Sequence, residues 1–260
     1  MRRLPALLGA VALSVTPACL VRGTAPAREG TVRTGRGTFV VRSDAVDAAS
    51  FDAVVVAVRK GEAALSRWGH FKEPVRVNVL PDRQTFDAAV GEGGFPGRRG
   101  FARYDDVFLL SPENWSALGA RQAEVEELVL HELTHCLMYQ RAGSRTQWRR
   151  KGIPLWFREG MASYIAHQAY RWKAPDIKPL SPDASPFAEA EEVAGGDVRR
   201  AYGLAHYAFQ ALVNRRGEDG VRALLRAMER GVDFPGAFEE VYGLPPRAFT
   251  RALETSLDRH

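Results

Sequence analysis

Two histidines four residues apart, with a glutamate beside the first, stand in the apolar stretch LVLHELTHCLMYQ at residues 128–140. On a helix, positions i and i+4 share a face, so His131 and His135 point the same way one turn apart. That spacing suits two imidazoles on one divalent ion. Glu132 would project beside such an ion rather than onto it, where a carboxylate can take a proton from a water whose pKa zinc lowers to about 7. Burying two neutral imidazoles costs little when each is engaged by a metal on one nitrogen and by an acceptor on the other.

A catalytic site of this kind needs a third ligand and an open fourth position. Glu159 is the candidate, 24 residues after His135 and one turn into a helix that begins at Pro154. Its small neighbours Gly160 and Ala162 allow close approach to the first helix. Two antiparallel helices joined by a loop would bring Glu159 back to the histidine pair. A chance match to His-Glu-x-x-His is expected on the order of once in a hundred such chains, so the motif alone does not decide. The length of the helix, its apolar character on two sides and the later glutamate tell against plain core histidines.

HELTH followed by WFREGMASY resembles the gluzincin metallopeptidases, in particular the small bacterial "peptidase MA-like" domains, and more distantly the M1 aminopeptidases and thermolysin. The M1 second motif, W-L-N-E-G-F-A, reads here Trp156-Phe157-Arg158-Glu159-Gly160-Met161-Ala162. The motifs cover about thirty residues, and the looser pattern extends the likeness over residues 38–257. The resemblance implies a zincin fold, Zn2+ held by His131, His135 and Glu159, Glu132 as general base, and hydrolysis of peptide bonds in a protein or peptide substrate. It also implies a donor for the tetrahedral oxyanion from a later helix. Tyr202 and His206 are i, i+4 there, with Tyr202 favoured and His206 second. Three features depart from the family. The interval before the third ligand is long, owing to a basic insert at 144–152. Ser163 stands where thermolysin-like enzymes carry an aspartate. The G-x-M-E-N motif that grips a free amino terminus is absent, which favours an endopeptidase. The alternative is a catalytically inactive zincin-fold binding or scaffold protein of the cell envelope.

The elements that must position these groups divide the chain in two. Hydrophobic periodicity predicts strands over 38–46 and 75–80 and one or two within 102–111, with helices over 48–68 and 84–90 and a glycine-rich loop over 91–100. From 121 the pattern turns helical: 121–141, a second helix from 155 to 172, a Pro/Asp/Ala-rich loop over 174–197, then helices over 198–215, 219–230, 234–241 and 246–257. The expected fold is α+β and zincin-like: an N-terminal α/β lobe with a small mixed sheet, a C-terminal helical lobe, and a cleft between them. The strand over 107–111 is read as an edge able to pair with an extended peptide, with a buried core strand as the second reading, and the two are compatible. Arg145, Arg149, Arg150 and Lys151 read as a solvated loop, with attraction of acidic substrate or anionic lipid as the second reading.

The chain has 260 residues, 45% apolar and 26% charged, which is ordinary globular usage with enough length for a real core. Its N-terminus, MRRLPALLGAVALSVTPACLVRG, has a positive start, a short apolar run and small residues, the layout of a secretory signal peptide over 1–18. The apolar run is too short to span a bilayer. Lipidation of Cys19 is the first expectation, and cleavage after Ala27 the second; residues 19–37 then form a linker and 38–258 the domain. The formal charge is +5, and losing Arg2 and Arg3 would leave +3, a bias too weak to argue for nucleic acid. Cys136 is the only other cysteine, so no disulfide forms and the fold relies on its core. The expected setting is extracytoplasmic, lipid-anchored in a bacterial envelope or secreted, as a monomer.

Overall fold

A computed structural model describes residues 27–43, 46, 48–91, 97–171, 187 and 198–257. The signal peptide, Cys19 and most of the 174–197 loop lie outside the described residues.

The chain is α+β, with a five-stranded mixed sheet. Its strands are β1 (Arg28–Thr34), β2 (Gly37–Ser43), β3 (Val75–Leu80), β4 (Gly100–Ala102) and β5 (Asp106–Leu110), in the spatial order β1-β2-β3-β5-β4. β2, β3 and β5 run parallel, and β1 and β4 are antiparallel edges. Parallel neighbours need crossover connections. Helix α1 (Ala48–Leu65) links β2 to β3, and the β3–β5 connection carries α2 (Arg83–Val90), whose N-cap Asp82 accepts from the Thr85 amide at 2.7 Å.

Two expectations are corrected here. The segment read as linker carries β1: Gly35 and Arg36 turn the chain, Thr34 Oγ1 accepts from the Arg36 amide, and Val32 enters the core. Its Gly/Arg/Thr composition suits an edge strand, which buries little. The segment 107–111 is no edge. β5 pairs on both sides, and the edge on that side of the sheet is β4, whose Gly100 the sequence reading placed in the glycine-rich loop and whose Ala102 it placed in the strand region.

The remaining helices are α3 (Gln122–Ala142), α4 (Leu155–Ile165), α5 (Val198–Glu229), α6 (Phe234–Tyr242) and α7 (Pro246–Leu257). α5 bends at Arg216 and Gly217, where φ of the glycine is +65°, so the two helices expected there meet at a kink. Among the described residues no helix is long and apolar enough to cross a membrane.

Helix α3 is buried on every side from His131 to Ala142. Its polar groups there are largely matched with partners, as interior ones must be. Gln140 accepts from the amides of Lys72 and Glu73 at 2.8 and 3.0 Å, and Arg141 pairs with Glu229 at 2.8 Å. Close packing onto α1 runs through Gly61, where a Cβ would stand 3.1 Å from Leu133 Cδ1.

Helix α4 is pinned at its start by aromatic residues. Trp156 lies 5.6 Å from Phe249, and Phe157 lies 4.9 and 5.4 Å from Phe234 and Phe209, ring centre to ring centre. Gly160 then lets α4 touch α5, since a Cβ there would meet the Ala205 carbonyl oxygen at 2.3 Å. Backbone cannot yield as a side-chain tip can. We therefore expect Gly160→Ala to destabilise the fold by about 2–3 kcal/mol and to lower the unfolding midpoint by about 4–12 °C. Thermal denaturation followed by circular dichroism measures this, and an unchanged midpoint would mean the helices are not so tightly seated.

Candidate metal centre

His131 and His135 project from one face of α3, and Glu159 comes back to them on the first turns of α4. The two Nε2 atoms are 3.3 Å apart, and Glu159 Oε2 stands 3.4 Å from one and 3.5 Å from the other. Ligands at about 2.0–2.1 Å in a tetrahedral zinc site are separated by about 3.3–3.4 Å. The three donors therefore describe one face of such a tetrahedron. The two nitrogens and Glu159 Oε2 thus surround one shared point. These residues, and not Glu132, form the cluster able to hold an ion among the described residues.

The side chains behind the donors set their orientation. Gln168 Oε1 lies 3.0 Å from His131 Nδ1, fixing that nitrogen as the protonated one and leaving Nε2 its lone pair. Gln168 Nε2 donates to Glu127 at 2.9 Å, and Arg171 pairs with Glu127 at 2.6 Å. The sequence reading missed Gln168 because it ran the second helix on to residue 172. In the structure α4 stops at Ile165, His167 adopts φ +56°, and a short 3-10 turn from Gln168 to Arg171 swings the amide under α3. A helical period cannot signal such a break, although histidine tolerates the left-handed region better than most side chains. Gln168→Ala should weaken zinc affinity about 10–100-fold, measured by competition with a chromophoric chelator. Unaltered affinity would show that His131 needs no such support.

Burial governs the charges. His131, Glu132 and His135 are each no more than 6% exposed. Burial pushes the Glu132 carboxyl above its ordinary value, against the opposing pull of His131 and His135. For Glu159 the same burial is outweighed by the two histidines, which hold it well below the usual carboxylate range. For His131 burial acts downward, but contact with Glu159 and the charge of Glu132 leave it raised. Two carboxylates side by side are thus driven apart, Glu159 toward the anion and Glu132 toward its protonated form.

Glu132 faces β4. A Cβ at Gly100 would sit 2.5 Å from Glu132 Oε1, so only glycine lets the carboxylate lie against the strand. Tyr202, on α5, lines the same cavity; burial, then Glu159 and Glu132, push its hydroxyl well above its ordinary pKa, so it remains a proton donor. His206 sits one turn further on and is not among the lining residues. Its Nδ1 is 2.9 Å from the Oγ of buried Ser163, the residue at the aspartate position of the resemblance. Burial lowers the His206 pKa. Cys136 is free and buried, its thiol pushed up by burial, and it takes no part in the donor cluster.

The cavity measures about 500 Å³. Its walls come from β4, α3, α4, the first turns of α5 and the 144–152 insert.

No family model matches this sequence, and no curated protein matches it. Solved structures do. A mutant of the M1 zinc metallopeptidase from Deinococcus radiodurans superposes with a TM-score of 0.52 at 17% identity, over 87% of this chain and 52% of that one. The unmutated enzyme gives 0.50 at 17%, over 88% and 51%. The present chain spans about half the length of these neighbours. At such identity the likeness is one of fold, and it supports the zincin-like architecture expected from the sequence.

Proposed function

We propose that the protein is a gluzincin-type zinc metallopeptidase that cleaves peptide bonds within protein or peptide substrates outside the cytoplasm. The observation that carries this reading is the set of three buried donors 3.3–3.5 Å apart with the raised carboxyl of Glu132 beside them. The fold likeness to zinc metallopeptidases supports it.

His131, His135 and Glu159 would hold the ion, which when bound supplies Lewis acidity toward a water and the scissile carbonyl. Glu132 takes the proton of the attacking water and returns that proton to the leaving nitrogen. The Tyr202 hydroxyl donates to the oxygen that gains charge in the tetrahedral state. His206, held by Ser163, positions α5 against α4. The open edge of β4 accepts the substrate backbone by strand addition, beside Glu132. The cavity then lies in the cleft between an α/β and a helical lobe, and the chain works in a bacterial envelope, lipidated at Cys19, or is secreted.

Cleavage of an unstructured protein such as casein should vanish with chelator and return with zinc at one equivalent per chain. Cleavage that ignores the chelator would remove the metal from the reading.

A further inference from the structure

Four arginines are among the residues that line the cavity, Arg98, Arg103, Arg149 and Arg158, and the acidic residues among them are Glu132 and Glu159. Glu159 is one of the converging donors and Glu132 stands beside them, so the remaining wall is electropositive. The arginines differ in their engagements. Arg103 donates to the Ala89 and Val90 carbonyls at 3.3 and 3.2 Å and serves the structure. Arg98 stands near enough to Glu132 and Tyr202 to influence both, and Arg158 acts on Tyr139 in the same way.

Arg149 lies at the mouth. It is exposed, and its guanidinium carbon is 5.4 Å from the centre of the Trp148 ring. Trp148 stacks on Tyr139 at 3.9 Å, and Tyr139 stacks on His135 at 5.8 Å. A column of flat groups thus runs from a metal ligand outward to a cation. The insert that carries it is largely exposed, as expected from its charges, but it is anchored at both ends. Arg145 is paired with Asp105 and Asp106, and Lys151 donates to the Gly231 and Val232 carbonyls at 2.5 and 3.1 Å. Both ends are tied down, which holds Trp148 and Arg149 at the cavity.

We propose that the 144–152 insert is the specificity element of the cavity, with Arg149 gripping a substrate carboxylate a few residues from the scissile bond. This rests on the peptidase reading above. A guanidinium meets a carboxylate through two parallel hydrogen bonds, and one already laid on an indole loses little freedom in doing so. The positive wall concentrates anions in the cavity. The carboxylate comes from an acidic side chain or from a chain terminus.

The test uses zinc-loaded protein at low salt and quenched peptide pools that differ only in carrying Glu, Gln or Lys at the randomised positions. A further pair differs in ending as carboxylate or amide. The Glu pool should show a kcat/KM at least tenfold above the Gln pool, and Arg149→Glu should cut that ratio tenfold or reverse it. Arg150→Glu makes the same charge change on a neighbouring exposed residue outside the cavity and should leave the ratio as it was. A preference seen only in the terminal pair assigns the carboxylate to the chain end. Equal rates for all pools, or an equal effect of Arg150→Glu, overturn the proposal while leaving the peptidase reading intact. If no pool is cleaved, the peptidase reading fails. Calorimetry with Glu and Gln peptides on the zinc-loaded Glu132→Gln variant then decides this proposal alone, since tighter binding of the Glu peptide must disappear with Arg149→Glu.

Discussion

Replacing Glu132 by Gln is expected to lower kcat for peptide cleavage about a thousandfold while one zinc per chain stays bound. A general base contributes about 10²–10⁴ in rate, and the amide keeps the shape of the side chain but cannot accept the proton. The geometry predicts the separation of effects. Glu132 is not one of the converging donors, so metal content should not fall. Nor should stability: the carboxyl is buried and its pKa is raised by that burial, so a neutral amide removes a desolvation cost. The unfolding midpoint should stay level or rise as activity collapses. Steady-state kinetics with metal analysis of the same preparations make the measurement. Activity within tenfold of the parent would place the base elsewhere, and a biological role that persists in this variant would favour a binding protein on the same fold.

The second large effect is expected from Glu159. Glu159 Oε2 is buried with no hydrogen-bond partner, so an ion that engages it relieves the cost of an unsatisfied buried acceptor. Zinc at a thousand times its dissociation constant would stabilise the folded state by about 4 kcal/mol. For a domain of this size that corresponds to about 8–16 °C in the midpoint. Glu159→Gln replaces the anionic ligand with an amide that binds zinc poorly, so affinity should fall by about a hundredfold or more and the zinc-dependent rise should shrink to a few degrees. Differential scanning calorimetry at matched zinc gives the comparison. A full zinc-dependent rise in the variant would show that the ion is gripped without α4, and the centre described above would be wrong.

Much of the centre was legible before the fold. His131, Glu132 and His135 declare themselves because a helix converts a spacing of four into a shared face. Glu159 was readable because Pro154 starts the helix that carries it and small residues follow it, but the structure uses Gly160 against α5, where the sequence reading expected close approach to α3. Tyr202 and His206 were indistinguishable by spacing, since i and i+4 share a face. Only the fold places Tyr202 in the cavity wall and His206 on Ser163.

The sequence by itself determined the local facts: which segments are helical, which side chains share a face, and the donor chemistry a divalent ion requires. These depend on a few neighbouring residues and a fixed period. Tertiary structure alone decided that β4 is the open edge, that Gly100 makes room for Glu132, that Gln168 backs His131, and that the basic insert is tied down beside the cavity. All but the first are contacts between residues about 30 or more positions apart. Such contacts are chosen by the packing of the whole core, which no periodic pattern along the chain encodes.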